Sequence, residues 1–211
     1  MLEWYRAGAG LDAMLADTEA IVRTAASVSG SPDAIALEGR RVPLGGPFAR
    51  VTMRECFARH CPELGDAVAL AARDEEAYYE AVSLRVEPRL GWDRPVFVTG
   101  FPACHASLAR VDPSDPTVCL RAELYVAGVE LCNAFDELTD PAEQRARFEA
   151  DQRERARRGL PVYPVDEDFL AALDEGLPPC AGNALGVDRL LALTMGTREI
   201  ARVMAFPRTP R

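Results

Sequence analysis

The stretch 119–138, CLRAELYVAGVELCNAFDEL, constrains this chain more than any other. Ala127-Gly128 reads as a two-residue hairpin turn between two strands. Pairing the strands about that turn sets Tyr125 opposite Glu130 and Glu123 opposite Cys132. Strict alternation then puts Glu123, Tyr125, Glu130 and Cys132 on one face. Leu124, Val126, Val129 and Leu131 fall on the other, wholly apolar face, and Asn133 falls with them. Glu123 and Glu130 become diagonal neighbours, roughly 7–8 Å apart at Cα. Two readings stay open for such a pair. They are ordinary solvated glutamates, or a divalent cation or a substrate ammonium lies between them.

The rest of the chain supplies elements to pack on that hairpin. Residues 1–6 alternate like the end of a strand. Residues 11–28 place Leu11, Met14, Leu15, Ile21 and Val22 at helical spacing, with Thr18 on the same face. Residues 29–50 read as a loop or short hairpin. Thr52-Met53-Arg54-Glu55 is a capping box, so a helix starts there and stops before Pro62. A further helical stretch covers about 64–84, and 95–99 is a short buried strand. Asp140-Pro141 opens a charged helix that Gly159 stops, and Val165–Glu175 is a short amphipathic helix.

Residues 180–193, CAGNALGVDRLLAL, read as a strand of small residues running straight into a helix. Small residues let a flat ligand lie against the backbone. Arg189 sits in the first helical turn, where a cation opposes the helix dipole. Its partner is either a bound phosphate or the neighbouring Asp188.

The chain has 211 residues and a net charge of −9, and every basic side chain apart from the two histidines is arginine. That acidic balance is a poor match for long nucleic-acid tracts. No apolar run approaches the roughly 18–20 residues that span a bilayer, and the N-terminus has no signal-peptide pattern. A soluble cytoplasmic protein is expected. Its six cysteines carry no CxxC pair. Cys56, His60 and Cys61 sit close in sequence, but their spacing fits no zinc finger, so reduced and partly buried thiols are expected.

Taken together, these stretches resemble the catalytic domain of class II aminoacyl-tRNA synthetases, in the lysyl branch. GNALGVDR (182–189) is similar to motif 3 of that class, and MLEWY (1–5) resembles the end of motif 2. AELYVAGVELCNAFDELTDPAEQRARFE (122–149) resembles the lysyl-type strand pair and its following helix. Within the branch, PVFVTGFPACHASLAR (95–110) and RRGLPVYPVDEDFLAAL are most similar to the short paralogues that ligate (R)-β-lysine to elongation factor P.

The resemblance implies an α+β fold over 1–211, a single partial catalytic domain with a mostly antiparallel sheet flanked by helices. It implies ATP and Mg2+, activation of lysine or β-lysine as an adenylate, and transfer to a lysine of elongation factor P. Glu130, Leu131 and Gly186 would border ATP, and Arg189 would grip its terminal phosphates. Arg189 and Glu130 would be catalytic. Glu130, Glu137 and Glu123 would serve the metal. Tyr5, Glu137, Asn133 and Ala184 would meet the substrate, Ala184 replacing a glycine of lysyl-tRNA synthetases and favouring β-lysine.

Two departures qualify the match. Motif 1 and the first strand of motif 2 are not matched, so a homodimer, a companion chain or an upstream segment would supply them. Ala134 stands where the family has glycine, which implies strain if that position needs a positive φ. The competing functions are a non-catalytic paralogue that binds nucleotide, amino acid or protein, and tRNA charging of the lysyl type. The acidic balance and the lack of an anticodon domain weigh against a tRNA partner. No membrane association is expected.

Overall fold

A computed structural model describes residues 1–207. In chain order the elements are β1 (Leu2–Ala7), α1 (Leu11–Val28), β2 (Ala34–Leu37), β3 (Arg40–Pro43), β4 (Ala49–Thr52), α2 (Met53–His60), α3 (Ala67–Arg73) and α4 (Glu75–Ala81). They continue with β5 (Val96–Pro102), β6 (Val111–Asp112), β7 (Asp115–Val126), β8 (Val129–Asp136), α5 (Pro141–Arg157), α6 (Glu167–Gly176), β9 (Cys180–Leu185) and α7 (Val187–Thr194).

One seven-stranded sheet organises the fold, in the order β1-β9-β8-β7-β5-β4 with β6 added on β7. Its pairs are antiparallel except β4 with β5. The expected α+β architecture is therefore present. β2 and β3 form a separate hairpin, which resolves the 29–50 stretch.

α1 lies on one face of the sheet. Its buried residues are Met14, Leu15, Thr18, Val22 and Ala26, as the helical spacing requires. Thr18 makes its buried position tenable by donating to the Met14 carbonyl at 2.7 Å and accepting from Asn183 Nδ2 at 2.6 Å. Phe97, Leu124, Val126, Leu131 and Leu185 join the same core. α2, α3 and α4 cover the other face around β5, with Phe57, Tyr78, Val98 and Tyr125 buried between them. The Thr52 capping box forms in full.

The helical stretch at 64–84 is not one helix. Asp74 breaks it, because its carboxylate accepts from the Ala77 amide and so starts α4 anew. The coil then continues through a π-turn at Val82–Val86. Ala134 carries no strain: it pairs within β8 and packs with Ala181 against Met14. The non-glycine residues with positive φ among the described residues are Glu38, Ser107 and Ala127. Ala127 and Gly128, at φ 51° and 72°, make the primed turn of the β7–β8 hairpin.

Candidate active site

The hairpin carries a β-bulge, and the bulge builds the site. Tyr125 pairs with Glu130, but the next pairs are Leu124 with Cys132 and Glu123 with Asn133. Leu131 is the extra residue. Its carbonyl accepts from the Gly186 amide at 2.9 Å, at the junction of β9 and α7. Leu131 and Cys132 both point into the α1 core. The alternation is thereby reversed beyond the bulge. Two expectations are corrected: Cys132 leaves the Glu123 face, and Asn133 joins it.

With that register, the partners line up in rows across the sheet. Glu3 pairs with Ala184, Ala184 with Asn133, and Asn133 with Glu123. The neighbouring row is Tyr5, Gly182, Phe135 and Arg121. Tyr5, Asn133, Ala184 and Glu123, named from sequence, therefore share one face. Its β1 end is open, with Tyr5 67% exposed.

Arg121 is the site residue that sequence reasoning missed. Its guanidinium pairs with Glu123 Oε1, and its Nε donates to Asn133 Oδ1 at 3.1 Å. Phe101 and Phe135 lie 4.6 and 5.8 Å from the guanidinium carbon. Tyr125 donates to Glu123 Oε2 at 2.7 Å. Glu123 is thus buried with both oxygens engaged. The signal was available, since Arg121 sits two residues before Glu123 on the same strand face.

Glu130 is less satisfied. Its carboxyl is raised by burial and then by Glu123. Arg189 Nη1 donates to the Glu130 carbonyl at 3.0 Å and lies 3.6 Å from its carboxylate. The partner of Arg189 is therefore Glu130, and Asp188 makes no ion pair among the described residues. Gly186 caps α7 and leaves its first turn without a side-chain cap. Arg189 remains 46% exposed, next to those amides.

Glu137 lies elsewhere. β8 is extended from Val129 to Asp136, so Glu130 and Glu137 are roughly 20 Å apart at about 3.3 Å per residue. One metal ion is not shared between them. No group of three His, Cys, Asp or Glu side chains among the described residues is arranged to hold a metal. Glu137 instead closes a small cavity of about 140 Å³, lined also by Glu3, Tyr5, Leu108, Asn133 and Gly182. A Cβ on Gly182 would collide with the Glu137 carboxylate and lie 2.7 Å from the Tyr5 ring, so glycine is what lets both approach the sheet. Burial, and then Asp136, push the Glu137 carboxyl up to about 7. Its carboxylate has no partner among the described residues. Such a group favours a cation.

Comparison with known proteins agrees with this architecture. Residues 1–210 match the family described as tRNA synthetases class II (D, K and N). The chain is 39% identical over 209 residues to an elongation factor P–(R)-β-lysine ligase of Vibrio cholerae, covering 98% of this chain and 64% of that protein. It is 54% identical over 124 residues to the ligase of that name from Klebsiella pneumoniae strain 342, covering 59% of this chain and 38% of that protein. The Proteus mirabilis ligase is 55% identical over 122 residues, 58% of this chain and 38% of its own length. The chain thus spans between about two fifths and two thirds of the length of these relatives. With its antiparallel sheet, its strand-to-helix Arg189 and a match over nearly its full length, the chain belongs to the class II tRNA synthetase family (D, K and N).

Proposed function

We propose that this chain carries the catalytic face of an ATP-dependent ligase that activates (R)-β-lysine, or lysine, as its adenylate and transfers the acyl group to a lysine of elongation factor P. The observation that carries this reading is the Glu137 cavity. It is small, it is walled by Tyr5 and Gly182, and it ends on a half-buried, unpaired carboxyl. An alkylammonium group supplies the missing cation. The names of the relatives support the same substrate and acceptor. The net charge of −9 favours a protein acceptor over a polyanionic RNA. We read the protein as cytoplasmic; no helix among the described residues is long and apolar enough to cross a membrane.

Each residue then has a task. Glu137 holds the substrate ammonium, with Tyr5 packed against its stem. Asn133 offers its amide N–H groups to substrate oxygens, because its own oxygen is taken by Arg121. The Ala184 methyl, beside Asn133, shapes the pocket floor for the β-amino acid. Leu131 and Gly186 border the nucleotide, and Arg189 swings from Glu130 to the phosphates. Glu130 and Glu123 would hold Mg2+, whose usual set is one or two carboxylates plus phosphate oxygens. A bound Mg2+ would neutralise charge on those phosphates.

The test is pyrophosphate exchange into ATP with (R)-β-lysine or α-lysine, followed by mass measurement of elongation factor P incubated with the protein. Exchange that depends on β-lysine, and a β-lysyl mass increment on the factor, are expected. Exchange with neither amino acid, and no increment, would overturn the proposal.

A further inference from the structure

Residues 87–92, EPRLGW, clasp the tip of the β7–β8 hairpin. The Ala127 and Gly128 amides donate to the Gly91 and Leu90 carbonyls at 2.8 and 2.7 Å. Gly91 has φ 71°, and a Cβ there would collide with the Tyr125 carbonyl. Trp92 Nε1 donates back to the Pro88 carbonyl at 2.9 Å. Backbone contacts of its neighbours therefore set the place of Glu87 beside the hairpin.

The Glu87 side chain meets the Glu123 network through Tyr125. Glu87 Oε1 lies 3.1 Å from the Tyr125 hydroxyl, and the same hydroxyl lies 2.7 Å from Glu123 Oε2. A tyrosine hydroxyl has one proton. The shorter contact takes it, as a charge-assisted hydrogen bond to Glu123. The Glu87 contact then needs a proton of its own, and a carboxylic acid gives one to the phenol oxygen. Burial, above all, raises the Glu87 carboxyl from its ordinary range, and Glu123 adds to that; Tyr125 and Arg189 oppose the rise without reversing it. An ionised Glu87 would compete with Glu123 for the single Tyr125 proton, in a residue only 2% exposed. It would also add a negative charge that Glu130 feels.

The direction of donation is thus Glu87 to Tyr125 to Glu123. Arg121 holds the other Glu123 oxygen. Two donors fix the plane of that carboxylate; with one of them lost, it is free to turn about the Arg121 contact.

We propose that Glu87 is a positioning residue: as a carboxylic acid it donates to Tyr125, commits the Tyr125 proton to Glu123, and so holds the Glu123 carboxylate in the orientation that meets Mg2+. The last step rests on the ligase reading. The proton on Glu87 does not, and it is testable in the free protein.

Two measurements test the proposal. The first is the infrared spectrum of the free protein at neutral pH. A protonated-carboxyl carbonyl band is expected that Glu87→Gln removes; an unchanged spectrum would overturn the proposal. The second is calorimetric titration of the imido analogue of ATP, with Mg2+ and again with EDTA. Glu87→Met and Tyr125→Phe should each weaken binding about tenfold with Mg2+, the scale of a hydrogen bond to a charged group. Binding in EDTA and affinity for (R)-β-lysine should stay unchanged. Glu87→Gln should restore the Mg2+-dependent affinity lost in Glu87→Met, because its amide donates where the acid did. Equal losses with Mg2+ and with EDTA, a matching loss for (R)-β-lysine, or no loss would overturn the proposal. If the unmodified chain binds no nucleotide, the ligase reading falls, and the infrared band still decides the hydrogen-bond chain. Mg2+-dependent binding indifferent to Glu87 and Tyr125 overturns the positioning role alone.

Discussion

Arg121 Nε donates to Asn133 Oδ1 across the β7–β8 pair at 3.1 Å, while the same guanidinium pairs with Glu123. One cation therefore fixes which way the Asn133 amide points and neutralises a buried carboxylate beside it. Arg121 thus brings one positive charge to Glu123, against the two carboxylates of Glu123 and Glu130. Under the proposed function, the carboxylates of Glu130 and Glu123 would meet the metal, and Arg189 the phosphates.

Removing that cation is expected to be severe. Arg121→Met leaves Glu123, 6% exposed, without its charge partner. Breaking a buried pair by losing one member costs about 3–5 kcal/mol. Adding Glu123→Gln should recover more than half of the loss, since the remaining group is neutral. Urea unfolding of the two single variants and the double variant checks this. A single-variant loss below about 1 kcal/mol, as for exposed pairs, would contradict it.

Gly182→Ala separates the pocket from the fold. The new methyl meets the Glu137 carboxylate and the Tyr5 ring, both ends of side chains that can shift. Stability should change by less than about 1 kcal/mol. Affinity for (R)-β-lysine should fall by tenfold or more, because the methyl fills the space in which the ammonium meets Glu137. Thermal unfolding and calorimetry on one sample give both quantities. Unchanged affinity would place the amine elsewhere.

Glu137 also predicts a pH dependence of stability. Burial raises its carboxyl from an ordinary value near 4.5 to about 7. Between those values the folded state binds more protons than the unfolded state. The contribution of this group is therefore fully favourable below about 4.5 and declines as pH rises towards 7. The carboxyl is partly open to water, so the decline attributable to it should be about 1–2 kcal/mol. Glu137→Gln should flatten that part of the stability profile. An identical profile for the variant would show that the carboxyl is not perturbed.

Much of this was legible in the residues. The periodicity of 11–28, the Thr52 capping box and the Ala127-Gly128 turn are local signals, and each formed as read. The break at Asp74 was equally local, an aspartate N-cap ahead of Glu75-Glu76, but the long helical pattern masked it. The bulge at Leu131 was not legible. Period-two alternation assumes one residue per partner, and both Leu131 and Cys132 are apolar enough to be buried together. That single extra residue moved Asn133 to the site. The Glu137 pocket was readable only through the family resemblance. Tyr5, Glu137 and Gly182 are distant in sequence and meet only when β1, β9 and β8 pair.

The measurement that tests the central claim most directly is calorimetric titration of (R)-β-lysine into the protein and into Glu137→Gln, across the pH range around 7. A cationic ligand favours the ionised carboxylate, so affinity should rise with pH through about 7 in the unmodified protein. Below that pH, binding should release a proton. In Glu137→Gln the affinity should fall about 30-fold, the low end of the scale for a lost charge pair at an interface because the carboxyl is only half-buried, and this part of the pH dependence should vanish. Equal affinity and an equal pH profile in the two proteins would contradict the account, because the pocket would then not read the amine through Glu137.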